Sequence, residues 1–425
     1  MDMLHLKAPR GWINDPNGFI FYKGEYHLFY QHFPYAARWG RMHWGHAVSR
    51  DLVSWQHLET ALFPTKPADA DGCFSGSAVE KDGVMHLFYT GVKYDAPDPE
   101  NVNVCLDGLF TAAQLHISSP DGYSFDNFGG KSVVIPPITD PKRGDMRNTR
   151  DPKVWRGADG WYMVLGSTVN NNGLPEPRGR LLFYKSADLC SWEYAGFAEA
   201  DIGGWMWECP DYFRTDGGGV LLLSPLDMPC GSQALCTLAE FDERECRMEI
   251  SPRCQFLDLG LDLYAPQSAL DSDGRRVVAA WLRMPEPMRS GAVGMFCIPR
   301  VCEAERGHIF FRPHPNIRAR FCVKTDMPQG AYMVRAALRD GETLDIGGYV
   351  LSMNGGRLTA DRTRVMKCGQ RPTAATPPLN GADIEAYVDE NIIEVFVNGG
   401  EYVITHAVYG ITGVVRGSAE VFVMG

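Results

Sequence analysis

Three acidic residues, Asp15, Asp151 and Glu208, lie in surroundings where a carboxylate could do chemistry. A proline follows Asp15 and Asp151 directly and follows Glu208 after one intervening residue. Each proline biases the residue before it towards extended geometry and fixes the local chain direction. Carboxylates that converge disfavour one another's charged form, so one of them can keep its proton and form an acid/base pair with another. Tryptophans in all three segments offer an aromatic surface for a ligand such as a sugar ring.

Each of these segments also has a simple structural interpretation. Residues 12–18 combine Asn, Asp, Pro and Gly, which together predict a turn between buried strand ends. Asp151 beside Arg150 could form an ordinary ion pair, and Glu208 could be a buried, hydrogen-bonded side chain. The three segments together favour one shared site over three unrelated structural roles.

The elements that would position these acids are β-strands. Helical periodicity is nearly absent up to about residue 310, and a Ser-x-Asp segment ending in an aromatic residue recurs at residues 49–55, 119–125 and 186–192. A pair of strand-like runs precedes each copy. Four strands repeated about every 60–70 residues are typical of a β-propeller blade, and about five blades fit this length. The first strand of each blade lines the central channel, so acids at three successive strand starts would converge there.

The sequence predicts an all-β protein, a five-bladed β-propeller followed by a C-terminal β-sandwich. The propeller is expected over residues 1–311, a linker with two prolines over 312–320, and the sandwich over 321–425. A pair of stacked β-sandwiches is the alternative for the first domain. The predicted sandwich has few clustered polar or aromatic residues, so we interpret it as structural cover for the propeller.

Composition excludes several classes of function. A net charge of −11 argues against nucleic acid and anionic membranes as partners, and no apolar run is long enough to span a membrane. Residues 1–7 show no signal-peptide pattern. The 12 cysteines form no CxxC pair or zinc pattern, which favours free buried thiols in a reducing compartment over disulfides. We therefore expect a cytoplasmic protein without a metal or organic cofactor.

The chain resembles the β-fructosidases of glycoside hydrolase family 32, which include invertases, sucrose-6-phosphate hydrolases and fructan-degrading enzymes. The matching segments run in order from about Leu4 to the C-terminus: WINDPNG at 12–18, WGRMHWGHAVSRDLVSW at 39–55, FSGSA at 74–78, RDPKVW at 150–155, WECPDYF at 207–213, YAPQ at 264–267 and VDENIIEVFVNGGE at 388–401. One such motif would be a weak signal, but the ordered series is specific. The family's five-bladed propeller and C-terminal sandwich agree with the repeat spacing.

The resemblance implies roles for individual residues. Asp15 corresponds to the nucleophile, Glu208 to the general acid/base and Asp151 to a residue that stabilises the transition state through sugar hydroxyls. The fructose subsite would be lined by seven further residues: Asn14, Gln31, Trp39, Phe74, Ser75, Arg150 and Trp281. Ile13 replaces the family's usual Met in the first motif, which is a conservative apolar change.

Cleavage of a β-fructofuranosyl bond places positive charge on the anomeric carbon and negative charge on the departing oxygen. Asp15 must be ionised to attack, with amides such as that of Asn14 favouring its charge, and Glu208 must bring a proton. We expect Arg150 to keep Asp151 charged. Three basic residues near the predicted channel mouth could meet a phosphate on the glucose half of a substrate or simply form a solvated loop: Arg38, Arg41 and His43.

The function predicted from sequence is hydrolysis of sucrose or sucrose 6-phosphate by a retaining β-fructofuranosidase. An exo-fructanase acting on short inulin- or levan-type oligosaccharides is a second possibility. A propeller that binds carbohydrate without catalysis is a third, and a relative acting on arabinosides is more distant. The expected partner in each case is a small carbohydrate, and the sequence indicates no oligomeric state.

Overall fold

The computed structural model describes residues 4–169 and 177–425, and these residues are almost entirely β-structure. Five antiparallel sheets follow one another along the chain, each with its strands in sequence order. The first three sheets contain β1 (Trp12–Tyr22), β2 (Glu25–Phe33), β3 (His43–Ser49) and β4 (Gln56–His57); β5 (Gly72–Lys81), β6 (Val84–Tyr94), β7 (Phe110–Ser119) and β8 (Ser132–Ile135); and β9 (Arg150–Arg156), β10 (Trp161–Val169), β11 (Arg178–Ser186) and β12 (Glu193–Ala198).

The fourth and fifth sheets have an additional short strand each. They contain β13 (Trp207–Thr215), β14 (Gly218–Pro225), β15 (Leu235–Asp242), β16 (Arg247–Ile250) and β17 (Gln255–Phe256); and β18 (Leu263–Leu270), β19 (Arg276–Leu282), β20 (Met295–Phe296), β21 (Arg300–Glu305) and β22 (His308–Pro313). The first strands β1, β5, β9, β13 and β18 contact one another in a closed ring. The predicted five-bladed propeller is therefore confirmed, and the alternative of stacked sandwiches is wrong.

The middle strands of the blades are buried almost throughout because neighbouring blades cover both of their faces. Every residue of β10 is buried, and β2 is buried from its second residue onward. Because both faces are covered, these strands lack the alternation of apolar and polar residues typical of half-exposed sheets.

The Ser-x-Asp repeat forms the turn after the third strand in each of the first three blades. In the first copy, the Ser49 hydroxyl accepts from the backbone N–H of Leu52 at 2.8 Å, and Asp51 accepts from the next two backbone N–H groups. Leu52 has a positive φ of 64°, and Gly122 and Leu189 occupy the same position in the other copies with φ of 79° and 74°. The repeat is thus an element of the fold, and it contains none of the three candidate acids.

Two further sheets form the C-terminal β-sandwich. The first has the strand order β23-β33-β24-β29-β30-β31 and the second β28-β27-β26-β25-β32. The strands are β23 (Phe321–Lys324), β24 (Tyr332–Leu338), β25 (Thr343–Ile346), β26 (Tyr349–Asn354), β27 (Arg357–Asp361), β28 (Thr373–Ala375), β29 (Ala382–Asp389), β30 (Ile392–Val397), β31 (Tyr402–Ala407), β32 (Val415–Arg416) and β33 (Glu420–Met424). Two 3-10 helices lie at Leu106–Gly108 and Thr363–Val365.

The segment predicted as a linker, residues 312–320, contains the end of β22 and the helix α1 (Pro315–Arg320). A buried polar network also joins the propeller to the sandwich. Arg300 donates to Asp258 at 2.9 Å and to Glu394 at 2.6 Å, and His5 lies 2.8 Å from the same Glu394. Because these charges are paired and hydrogen-bonded, they tolerate burial between the domains.

The cysteines test the expectation of free thiols, and the helices test the expectation that no segment spans a membrane. All 12 cysteines lie in the described residues and are unpaired; five are buried, whereas Cys190, Cys322 and Cys368 are exposed. The prediction of free thiols instead of disulfides is therefore confirmed, although only five of the twelve are buried. Among residues 4–169 and 177–425, no helix is long and apolar enough to cross a membrane.

Candidate active site

All five inner strands carry a β-bulge near the end at which they begin, which we call the upper end of the channel. In each bulge two consecutive residues face one residue of the neighbouring strand. Bulges re-aim side chains, and a proline fits there because the ladder hydrogen bond is already lost. The bulged pairs are Asn14-Asp15, Phe74-Ser75, Asp151-Pro152, Cys209-Pro210 and Ala265-Pro266.

The interpretation of residues 12–18 as a turn is therefore wrong, because this segment lies inside strand β1. Asn and Asp within it form a bulge, where residues with weak strand preference are accommodated. The three acids also do not come from successive blades. Asp15 belongs to the first blade, Asp151 to the third and Glu208 to the fourth, and the second blade contributes the Phe74-Ser75 bulge.

Hydrogen-bond donors surround the Asp15 carboxylate. The Ser75 hydroxyl donates to Oδ2 at 2.6 Å, and the Asn14 side-chain amide donates to Oδ1 at 3.1 Å. Trp12 Nε1 donates to Asn14 Oδ1 at 2.9 Å, which fixes the orientation of the amide. These bonds favour the ionised carboxylate, whereas burial and the nearby charge of Glu208 oppose it, and the net effect raises the pKa of Asp15.

Asp151 is buried and has a positive φ of 64° at its bulge. Its backbone N–H donates to Thr90 Oγ1 at 2.9 Å, and its Oδ2 accepts from the backbone N–H of Cys209 at 2.9 Å. Burial raises the pKa of Asp151 to about 7; the charge of Arg150 counteracts this shift, and the charges of Glu208 and Asp15 add to it.

Arg150 does not pair with the adjacent Asp151 as expected. Its Nη2 donates to Glu208 Oε1 at 2.8 Å, and its Nη1 donates to the Asn148 side chain at 3.1 Å. The guanidinium therefore reaches the next blade instead of its sequence neighbour. Arg150 still favours the charged form of Asp151, but burial outweighs this attraction and the pKa of Asp151 is raised.

Glu208 has a second partner in Tyr264, at the bulge of the fifth blade. The Tyr264 hydroxyl lies 2.8 Å from Glu208 Oε2 and 2.9 Å from the backbone carbonyl oxygen of Ser224. A hydroxyl carries one proton and accepts as well as donates. Tyr264 can therefore donate to an ionised Glu208, or accept from a protonated Glu208 while it donates to Ser224.

Cys209 lies where the three acids meet. It follows Glu208 in the chain, and its Sγ lies 3.5 Å from Asp15 Oδ2 and 3.7 Å from Asp151 Oδ2. Burial and the surrounding carboxylates raise the pKa of this thiol well above its ordinary value, so it remains an S–H donor. The sequence-predicted acids thus converge at the upper end of the channel.

Aromatic side chains lie on both sides of this cluster. Trp39 contacts Phe74 edge to face with ring centroids 5.8 Å apart, and Trp12 contacts Trp281 in the same manner at 5.8 Å. The indole Nε1 of Trp281 is buried without a hydrogen-bond partner. The predicted subsite residues Trp39, Phe74 and Trp281 are each partly exposed and offer ring surface to a ligand.

Gln31 differs from the other predicted subsite residues because it is buried under the first bulge. It faces the Asn14-Asp15 pair from β2, and its side-chain amide donates to the Cys73 carbonyl oxygen at 2.9 Å. This contact links the bulges of the first two blades. Gln31 therefore supports the bulge that carries Asp15, instead of lining the open site.

Sequence reasoning gave no role to Tyr264 or to the thiol of Cys209. Both lie in motifs that had been noticed, YAPQ and WECPDYF. An available signal was the Ala265-Pro266 pair, which repeats the residue-then-proline pattern of the acid-bearing strands.

Of the three basic residues considered for phosphate, Arg41 forms an ion pair with Asp71 at 2.8 Å, and Arg38 is exposed. In the part of the chain that the structure describes, no group of three or more His, Cys, Asp or Glu has metal-binding geometry.

Comparisons with known proteins agree with this arrangement. The model of the glycosyl hydrolases family 32 N-terminal domain matches residues 5–313, and that of the family 32 C-terminal domain matches residues 329–422. The chain is 35% identical to the sucrose-6-phosphate hydrolase of Escherichia coli, over 95% of this chain and 88% of that protein. It is 33% identical to the raffinose invertase of Escherichia coli, over 96% and 89%.

Among solved structures, the GH32 beta-fructofuranosidase BmSUC1 of Bombyx mori superposes with a TM-score of 0.81 at 28% identity, over 100% of this chain and 94% of that one. The family models together span both domains and include all ten sequence-predicted site residues. This chain is a glycoside hydrolase and belongs to glycosyl hydrolase family 32.

Proposed function

We propose that this protein is a β-fructofuranosidase that hydrolyses sucrose or sucrose 6-phosphate through a covalent fructosyl-enzyme. The observation that carries the proposal is the convergence of Asp15, Asp151 and Glu208 around Cys209 at one end of the channel. The similarity to a sucrose-6-phosphate hydrolase and a raffinose invertase over most of the chain supports this substrate class.

Asp15 is the proposed nucleophile. Its two oxygens accept hydrogen bonds from Ser75 and Asn14, which hold the carboxylate in one orientation and stabilise its charge. A ligand that displaced water from the cluster would leave these donors in place. The carboxylate oxygen would attack the anomeric carbon of fructose, and the bond to the leaving oxygen would break.

Glu208 is the proposed general acid and later the general base. In the first step it would give its proton to the leaving oxygen, and in the second it would take a proton from the attacking water. Tyr264 supports both states, since its hydroxyl can donate to the ionised carboxylate or accept from the protonated one. The guanidinium of Arg150 holds the other oxygen of the carboxylate in place.

Asp151 is the proposed residue that stabilises the transition state through sugar hydroxyls. The backbone N–H of Cys209 fixes one of its oxygens at 2.9 Å, which orients the carboxylate within the cluster. The partly exposed rings of Trp39, Phe74 and Trp281 would pack against the carbon face of fructose. Asn14, Gln31, Ser75 and Arg150 complete the proposed subsite, with Gln31 supporting it from behind.

We further propose a cytoplasmic location. Twelve unpaired cysteines, three of them exposed, are better suited to a reducing compartment than to an oxidising one.

The deciding experiment compares the purified enzyme on sucrose, sucrose 6-phosphate and 1-kestose, with kcat/KM from fructose release. We expect sucrose or its 6-phosphate to be the best substrate. A higher kcat/KM on kestose would favour the exo-fructanase instead. Sugar binding by calorimetry with no fructose released from any substrate would favour a binding propeller. Polarimetry of the first-formed fructose tests retention, and an initial product of inverted configuration would contradict the covalent intermediate.

A further inference from the structure

A cavity of about 490 Å³ lies at the opposite end of the channel, where the inner strands end; we call this the lower end. It is lined by residues from all five blades, and aromatic rings form much of its wall, among them Trp155, Tyr212 and Phe241. It contains none of the residues of the candidate active site.

Among the charged groups in the wall of this cavity, Lys153 and Arg276 both lie close to one carboxylate, Asp211. Asp211 Oδ2 accepts from Lys153 Nζ at 2.9 Å and from the backbone N–H of Ser268 at 2.6 Å, and its Oδ1 accepts from the Ser268 hydroxyl at 3.1 Å. The carboxylate is therefore engaged by Lys153 and Ser268.

Arg276 is left without such a partner. Its Nε is buried and forms no hydrogen bond, and its guanidinium lies over the Phe213 ring at 4.9 Å. Burial lowers the pKa of Arg276, the direction expected for a cation that neither solvent nor a carboxylate stabilises fully.

Four other charged groups line the cavity, of which Arg156 is exposed and lies over the Trp161 ring at 5.1 Å. Glu243 accepts from the backbone N–H of Ala158 at 2.7 Å, and Glu80 accepts from that of Gly83 at 2.5 Å. Arg214 lies 3.5 Å from Glu240 on the blade surface. Among these cations, Arg276 is the one with a buried guanidinium nitrogen that has no hydrogen-bond partner, in a protein whose net charge is −11.

We propose that Arg276 and the surrounding rings form a binding site for a small organic anion, a phosphate or carboxylate group carried on a flat or sugar-like body. A guanidinium presents paired N–H donors that match the oxygens of either group. Aromatic rings bind the apolar face of the body, and the cavity is far larger than an inorganic anion requires. This site is separate from the active site and does not depend on the proposed function.

The test uses the full chain in phosphate-free buffer, with phenyl phosphate, glucose 6-phosphate and inorganic phosphate as probes. Binding is measured by calorimetry and by the change in Tm for the wild type, Arg276→Met and Arg275→Met. Arg275 is a matched control one residue away, because it is already paired with Asp271 at 2.6 Å and with Asp273 at 2.5 Å.

We expect at least one organic probe to bind the wild type more tightly than inorganic phosphate does. Arg276→Met should weaken this binding on the order of tenfold or more, and Arg275→Met should leave it unchanged. Without a probe, Arg276→Met should keep or raise the Tm because it removes a cation whose buried Nε has no hydrogen-bond partner, whereas Arg275→Met should lower it.

Four results would overturn the proposal. They are no binding of any probe up to about 10 mM, equal affinity for inorganic phosphate and the best organic probe, unchanged affinity in Arg276→Met, or a loss of Tm in Arg276→Met as large as that in Arg275→Met. The last result would assign Arg276 a structural role on Phe213. Sucrose hydrolysis is measured for all three proteins, so failure of the proposed function is visible separately.

Discussion

The two ends of the propeller channel are built from the same five strands but carry opposite excesses of charge. At the upper end, three carboxylates share the single guanidinium of Arg150. At the lower end, Lys153 and Arg276 share the carboxylate of Asp211. Each imbalance opposes folding, since buried charge is stable only when it is paired. Because the fold has a charge imbalance at each end, a ligand of suitable charge and shape would be stabilising at either end.

The backbone differs between the two ends as well. Every inner strand is bulged at the upper end, and the positive φ values of Asp151, Cys209 and Ala265 lie within these bulges. The lower parts of β9, β13 and β18 continue in regular pairing. The upper end therefore displaces side chains from the ladder into the channel, and the lower end places them by strand alternation alone.

Asp15→Asn gives the strongest expected contrast between the ends. The amide keeps the shape of the carboxylate but is a poor nucleophile, so kcat on sucrose should fall by about four orders of magnitude or more. The Tm at pH 7 should stay equal or rise, because the variant no longer buries a carboxylate whose pKa the fold raises. Retention of more than a few per cent of activity would place the nucleophile elsewhere.

Glu208→Gln tests whether the upper end holds an acid as well as a nucleophile. Without the proton donor, kcat/KM on sucrose should fall by about two to four orders of magnitude. An aryl β-fructofuranoside, whose leaving group needs little protonation, should be affected far less. Equal losses on both substrates would remove Glu208 from the acid role. Glu240→Gln, an exposed glutamate on the fourth blade, serves as the control.

Asp211→Asn is the same kind of change as Asp15→Asn at the other end of the channel. It leaves Lys153 buried without a counter-charge, and we expect a loss of about 3–5 kcal/mol in the free energy of unfolding, measured by urea denaturation. The folded fraction should still hydrolyse sucrose. Adding Lys153→Met to Asp211→Asn removes the unpaired cation, while the Asn side-chain oxygen still accepts from Ser268, so the double variant should recover most of the loss. Unchanged stability in the single variant would mean that Lys153 is not buried as described.

The fold was predictable because its signal is local and repeated. The Ser-x-Asp turn needs a hydroxyl, a carboxylate and a residue that tolerates positive φ, and the chain repeats this set in three blades. The convergence of Asp15, Asp151 and Glu208 followed from placing acids on inner strands. Their bulges were not predictable from composition, because turns and bulges favour the same residues at a break in the ladder.

The partners of the acids could not be read from the sequence. Arg150 is adjacent to Asp151, yet it reaches Glu208 across the boundary between two blades. Tyr264 is separated from Glu208 by 56 positions and joins it only because the fifth blade closes against the fourth. Such contacts depend on the rotation between blades, which no local pattern encodes.

Tyr264→Phe tests one of these partners, the hydroxyl that forms a hydrogen bond with Glu208 at the upper end. Loss of the hydroxyl removes the hydrogen bond to Glu208 and leaves the ring in place, so kcat/KM on sucrose should fall about tenfold. The effect should lie mainly in kcat, because the hydroxyl touches the carboxylate and not the proposed fructose subsite. A change confined to KM would instead make Tyr264 a substrate contact. Tyr212→Phe, at the lower end, should leave both constants near the wild type.

The smallest expected effect is the pH dependence of stability that Asp151 produces. Its pKa is about 7 in the folded protein and near 4 when unfolded, so between these values the folded state binds more protons. Wild-type stability should therefore decline through this residue as the pH rises from about 4 to 7, and level off above. Asp151→Asn removes this contribution, so its Tm advantage over the wild type should grow by a few degrees across that window. A Tm difference that is constant from pH 4 to 8 would show that the charge at the upper end does not oppose folding, and the contrast with the lower end would then be one of geometry alone.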